Sequence, residues 1–194
     1  MTRIVTVLTE GFADWETSLL NAVAHSFYGG QTLYASAGRQ PVTSMGNMNV
    51  QPQLAIADID PSEIDTLVVC GGTGWKQPDA PDISDIVHRV HQDGKLVAGI
   101  CDGTLALART GLLDDVAHTS NGVGYLDDTR YRGKPLYRDT PIAVADHNII
   151  TAPGTSPVSF LERILEGIGL ADDQLRYYIG LHAAQHGRPA AHAA

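Results

Sequence analysis

The sequence predicts an α/β fold: a doubly wound, mainly parallel sheet sandwiched by helices and carrying a nucleophile elbow. Three observations carry this. Short apolar runs rich in β-branched residues alternate with segments of helical period along the chain. These runs are continuous and not alternating, as expected of strands buried on both faces. A glycine-flanked turn, Gly99-Ile100-Cys101-Asp102-Gly103, links one such run to a helical segment.

The elements follow in order. Ile4 to Leu8 is the first strand, and Ala13 to Phe27 a helix with Trp15, Leu19, Leu20 and Val23 at helical spacing. Gly29-Gly30 stops that helix. Thr32 to Ala35 is a second strand, and the Gly-, Asn- and Pro-punctuated stretch from Pro41 to Pro52 a turn or hairpin. Leu67 to Cys70 is a third strand, ended by Gly71-Gly72. A helix follows from Asp82 to Gln92, with Asp93-Gly94 as its stop. Leu96 to Ile100 is a fourth strand and Thr104 to Ala108 a short helix. Ile142 to Val144 and Ile149 to Thr151 form a hairpin, Ser156 to Ile168 an amphipathic helix, and Ala171 to His186 one more. No linker or repeat interrupts the series, which reads as one domain over 1–187 with a flexible tail over 188–194.

Composition narrows the function. Lys plus Arg is 13 against 22 Asp plus Glu, a formal charge of −9. That sign repels phosphate backbones, so nucleic acid is not an expected partner. No apolar stretch approaches the roughly 18 residues of a membrane span. The N-terminus enters a strand with no leader pattern, and a cytoplasmic location is expected. Two cysteines, Cys70 and Cys101, with no CxxC, make neither a disulfide framework nor a zinc site. No metal and no cofactor is expected: the glycines after the third strand do not form a GxGxxG or a phosphate loop.

Ligands on such sheets bind at the carboxyl ends of the strands. Cys101 stands there as a candidate nucleophile, on a tight turn at a helix N-terminus that favours thiolate. The backbone N–H groups of Gly72 and Asp102 are candidates for an oxyanion hole. Glu16, in a carboxylate-rich stretch with Glu10 and Asp14, avoids repelling a thiolate only by keeping its proton. His118, 17 residues after Cys101, is the best placed of eight histidines as a base. Cys70 reads as structural.

Several blocks resemble the ThiJ/PfpI superfamily, of class I glutamine amidotransferase-like, flavodoxin-like fold. They are Gly11-Phe12-Ala13-Asp14-Trp15-Glu16, Val69-Cys70-Gly71-Gly72, Ala98 to Gly103, His118-Thr119-Ser120-Asn121 and Ile150 to Ser156. The chain looks most like the bacterial type 1 glutamine amidotransferase-like members. The resemblance implies a reactive, oxidisable Cys101, a protonated Glu16 bonded to its sulfur, oxyanion amides at Gly72 and Asp102, and a homodimer. There are departures. Protease-like members carry His directly after the cysteine, where this chain has Asp102. Deglycase-like members carry a later His at the position that falls on Asn121. Glutaminases need a His-x-Glu, and the sequence contains none. The expectation is a cysteine-dependent hydrolase or lyase acting on a small reactive carbonyl in stress response, not a glutaminase. The alternative is a redox sensor without turnover. A ligand module of a transcription regulator is weaker, because no helix-turn-helix segment remains outside the domain.

Overall fold

The computed structural model describes residues 1–186; the expected tail over 188–194 lies outside the described residues. In chain order the elements are β1 (Arg3–Val7), α1 (Asp14–Tyr28), β2 (Gln31–Ser36), β3 (Val42–Thr43), β4 (Asn49–Val50), β5 (Leu54–Ala55), β6 (Thr66–Val69), α2 (Ser84–Gln92), β7 (Leu96–Ile100), α3 (Gly103–Arg109), β8 (Val144–Asp146), β9 (Ile149–Ala152), α4 (Pro157–Gly167) and α5 (Asp173–His186). Seven strands form one sheet, ordered β5-β2-β1-β6-β7-β9-β8. Every neighbouring pair in it is parallel except β8 with β9. This is the doubly wound, flavodoxin-like arrangement that the alternating pattern predicts.

The strand residues are shared between two cores. Val5, Val7, Leu67, Val69, Val97 and Ile149 pack on one face, against Val87 and Val90 of α2 and Leu105 and Leu107 of α3. Ile4, Val68, Ala98, Ile100, Ile150 and Ala152 pack on the other, against Leu20 and Val23 of α1 and Phe160, Leu161, Ile164 and Leu165 of α4. Alternate side chains of a strand point to opposite faces, so burial on both sides explains the unbroken apolar runs.

Differences from expectation are local. Asp82 precedes α2 and accepts the Ser84 N–H at 2.8 Å. β5 has only two residues, too few for any periodicity, and escapes sequence reading. The stretch from Pro41 to Pro52 forms the antiparallel pair β3–β4. Asp14, at the start of α1, holds its turn: the carboxylate accepts from Ser44 Oγ at 2.6 Å and from the Gly46 N–H at 3.1 Å. Gly29 ends α1 in the left-handed conformation (φ 64°), its N–H returning to His25 O. No described helix is long and apolar enough to cross a membrane.

Candidate active site

β6 and β7 lie side by side in the middle of the sheet and end level with each other, Val69 paired with Gly99. Beyond β7 the chain turns sharply at Cys101, whose φ is 55°. A left-handed non-glycine residue is strained by of the order of 1 kcal/mol, so its surroundings must hold it. They do: the Cys101 N–H donates to Ala152 O at 2.9 Å, and its carbonyl accepts from Thr104 Oγ1 at 2.6 Å. The flanking glycines have a steric reason. A Cβ at Gly99 would lie 2.6 Å from Leu107 Cδ1, and one at Gly103 would strike the Val69 carbonyl oxygen. The turn therefore packs flat against β6, with Cys101 half-buried at the sheet's carboxyl edge.

Glu16 reaches the same point from the first turn of α1 and is fully buried. Its Oε2 accepts the Gly71 N–H at 2.8 Å, its buried Oε1 has no hydrogen-bond partner among the described residues, and the carboxyl stands beside the Cys101 thiol. Gly71 must be glycine, since a Cβ there would strike Oε2. Burial pushes the Glu16 carboxyl up to about 7; the hydrogen bonds from Cys101 and Gly71 oppose the rise and the Asp102 charge adds to it. Burial, then the Glu16 charge, pushes the Cys101 thiol up to about 12, against the thiolate expected at a helix N-terminus. The two groups titrate as a pair: once Glu16 holds the proton, its repulsion of a thiolate disappears.

This has a consequence for stability. Folded Glu16 keeps its proton up to about pH 7, against 4.5 in an unfolded chain. The protein's preference for the proton stabilises it fully below 4.5, and that contribution is lost as pH rises to about 7. Glu16→Gln removes this dependence. Between these pH values the wild type should lose roughly 2 kcal/mol relative to the variant, read from urea midpoints against pH. Parallel profiles would show that Glu16 is ionised in the folded state.

Asn121 supplies the third contact. Its Nδ2 donates to Cys101 Sγ at 3.2 Å, and its Oδ1 accepts the Gly154 N–H at 2.9 Å, which fixes which way the amide points. Gly154 closes against the site so tightly that a Cβ would lie 2.8 Å from Sγ. Half-exposed Trp15 donates from Nε1 to Gly154 O at 3.2 Å. The N–H groups of Gly72 and Asp102 make no hydrogen bond among the described residues. The Asp102 carboxylate turns aside from the sulfur, accepting from Lys76 Nζ at 2.9 Å and from the Tyr125 hydroxyl.

His118 is placed elsewhere, and the expectation that it serves Cys101 is corrected. Its Nδ1 is 2.8 Å from Val116 O and its Nε2 is 3.3 Å from the Tyr131 hydroxyl. The ring is wholly buried, with Tyr131 and Tyr137 edge-on against it. Burial holds its pKa below the ordinary histidine value. His118→Gln is expected to lower stability by about 1–2 kcal/mol while leaving alkylation of Cys101 unchanged. Slower alkylation would return His118 to the site. Sequence reasoning missed Lys76 and Tyr125, which lie on separate segments with no shared motif. Asn121 carried a signal: it lies 20 residues after Cys101 and ends the His118-Thr119-Ser120-Asn121 block.

The fold and the site define a class: α/β proteins with a cysteine on a strand-to-helix elbow beside a buried acid. The sequence profile of the DJ-1/PfpI family matches residues 2–167, and the chain belongs to that family. The DJ-1 superfamily protein Atu0886 of Agrobacterium tumefaciens superposes with a TM-score of 0.91 at 42% identity, covering 96% of this chain and 100% of that one. The "Uncharacterized protease YoaZ" of Bacillus subtilis is 29% identical over 76% of this chain and 71% of its own. The "Glutathione-independent glyoxalase DJR-1.2" of Caenorhabditis elegans is 27% identical over 70% of this chain and 72% of its own.

Proposed function

We propose that the protein is a cysteine-dependent enzyme acting on a small reactive carbonyl compound, with methylglyoxal as the test substrate. The observation that carries this is the setting of Cys101 Sγ, beside the buried Glu16 carboxyl and the Asn121 amide, at a turn where the Gly72 and Asp102 N–H groups have no partner among the described residues. The ionised form of Glu16 takes the thiol proton as Sγ attacks the aldehyde carbon, forming a C–S bond while the carbonyl π pair moves onto oxygen. The N–H groups of Gly72 and Asp102 stabilise that oxyanion. Glu16 gives the thiol proton to that oxyanion, then takes the proton from the former aldehyde carbon and delivers it to the neighbouring carbonyl carbon, while the hydroxyl proton passes to the neighbouring oxygen, giving a hydroxyacyl thioester. Water hydrolyses the thioester to a hydroxy acid and regenerates the thiol. Asn121 cannot exchange protons, so it orients the sulfur and Glu16 carries the transfers. The naming of the Caenorhabditis elegans relative as a glutathione-independent glyoxalase supports this substrate class. Loss of D-lactate or L-lactate production from methylglyoxal on replacing Cys101 tests it.

The proposed setting is a homodimer in the cytoplasm. Trp15, in the first turn of α1, and Met45 and Met48, in the β3–β4 turn that Asp14 holds, support the dimer as exposed apolar residues. Sedimentation equilibrium at the mass of one chain would refute it.

One feature favours a second reading, a redox sensor. Cys70 is completely buried, its Sγ tied to Ala13 O, so it is poorly placed to resolve a sulfenate on Cys101. Peroxide would oxidise Cys101 to oxyacids while itself being reduced to water. Selective oxygen addition at Cys101, without turnover of any carbonyl substrate, would favour the sensor.

A further inference from the structure

Asp102 follows the nucleophile and sits almost wholly buried, 4% exposed, at the N-terminal end of α3. An uncompensated carboxylate there would oppose negative charge on the adjacent sulfur. It is compensated from two other segments. Lys76, in the turn that follows β6, places Nζ 2.9 Å from Asp102 Oδ1. The same ammonium donates to the Tyr125 hydroxyl at 2.8 Å, and that hydroxyl donates to Asp102. The ammonium also lies 5.2 Å from the centre of the Tyr125 ring. The three groups form a closed triangle in which every contact fixes the others.

We propose that Lys76 is a positioning residue for the chemistry of Cys101: its ammonium neutralises the Asp102 carboxylate and so permits negative charge to form on the sulfur. The inference rests on the reading of Cys101 as a nucleophile. The charged and titratable groups around the sulfur are few. Glu16 faces it from α1, Asp102 stands beside it on its own turn, and Cys70 lies behind it at the end of β6. Asn121 and Gly154 are uncharged. Lys76 is the cation that the contacts bring to this group, and it acts through Asp102. The buried end of the pair is protected from solvent screening, although Lys76 itself is half-exposed.

The test is the pH dependence of Cys101 alkylation by iodoacetamide, with peptide mass spectrometry separating Cys101 from Cys70. Lys76→Met should raise the midpoint by about one pH unit, which is about tenfold slower alkylation below it. Lys76→Arg should stay near the wild type. Adding Asp102→Asn to Lys76→Met should bring the midpoint back to the wild-type value or below, because the opposing charge is gone. Asp102→Asn alone leaves position 76 untouched and should lower the midpoint. An unmoved midpoint in Lys76→Met, or a double variant as slow as the single one, would overturn the proposal and leave the nucleophile reading standing. A wild-type Cys101 that resists alkylation at every pH would overturn both.

Discussion

A Cys101→Ala protein is expected to convert methylglyoxal no faster than buffer, a loss of more than about a thousandfold in kcat/KM. The size of the effect follows from how little else at the site is able to form a bond to carbon. Glu16 is fully buried and bonded to the Gly71 N–H, which suits it to hold a proton and not to attack. The Asp102 carboxylate is occupied by Lys76 and Tyr125. Cys70 is inaccessible, and burial drives its thiol well above the ordinary range. The alanine variant keeps the backbone of the elbow, so its unfolding midpoint should stay within about 1 kcal/mol of the wild type. That separates lost chemistry from lost structure. Turnover at the wild-type rate would end the enzyme reading at Cys101. Glu16→Gln, which cannot shuttle the proton, should then serve as the comparison, since it keeps the acceptor for Gly71 and removes only the transfer.

Gly103→Ala should destabilise the protein by about 2–4 kcal/mol, a large fraction of the stability of a domain this size. The methyl group would strike the Val69 carbonyl oxygen and lie 3.0 Å from its carbonyl carbon. Both are backbone atoms of a central strand, which cannot turn aside as a side chain does. Relief requires α3 to move off β6, which also tilts the Cys101 turn. Activity should therefore fall along with the urea midpoint. Gly94→Ala is the control: Gly94 has a φ of 71° but nothing within 4 Å of an added methyl. It should show only the conformational penalty, about 1 kcal/mol. Equal losses at the two positions would mean that close packing under the elbow is not what requires glycine.

Much of the fold was legible because burial on both faces leaves continuous runs such as Leu67-Val68-Val69 and Leu96 to Ile100, which read as strands at sight. The elbow was legible for a similar reason: glycine at 99 and 103 is a local answer to a local contact. The surroundings of the sulfur were harder. His118 and Asn121 are three residues apart, and in an extended segment such residues face opposite sides. Spacing from Cys101 could not choose between them. The choice is made by pairing: His118 bridges to Tyr137, Thr119 donates its N–H to Thr151 Oγ1 at 2.8 Å, and Asn121 is left on the side of the sulfur. The triangle of Lys76, Asp102 and Tyr125 draws on three segments: the sheet order sets the turns after β6 and β7 side by side, and the loop after α3 brings Tyr125 to them.

The left-handed turn at Cys101 sets folding and chemistry at odds within a single residue. Glycine would satisfy that backbone without strain, so the thiol on which the proposed chemistry depends is not the side chain best suited to the native conformation. The penalty is present whenever the chain is folded, with or without substrate. Cys101→Gly is therefore expected to be a downhill change for the scaffold, and a screen for thermal robustness alone would favour it.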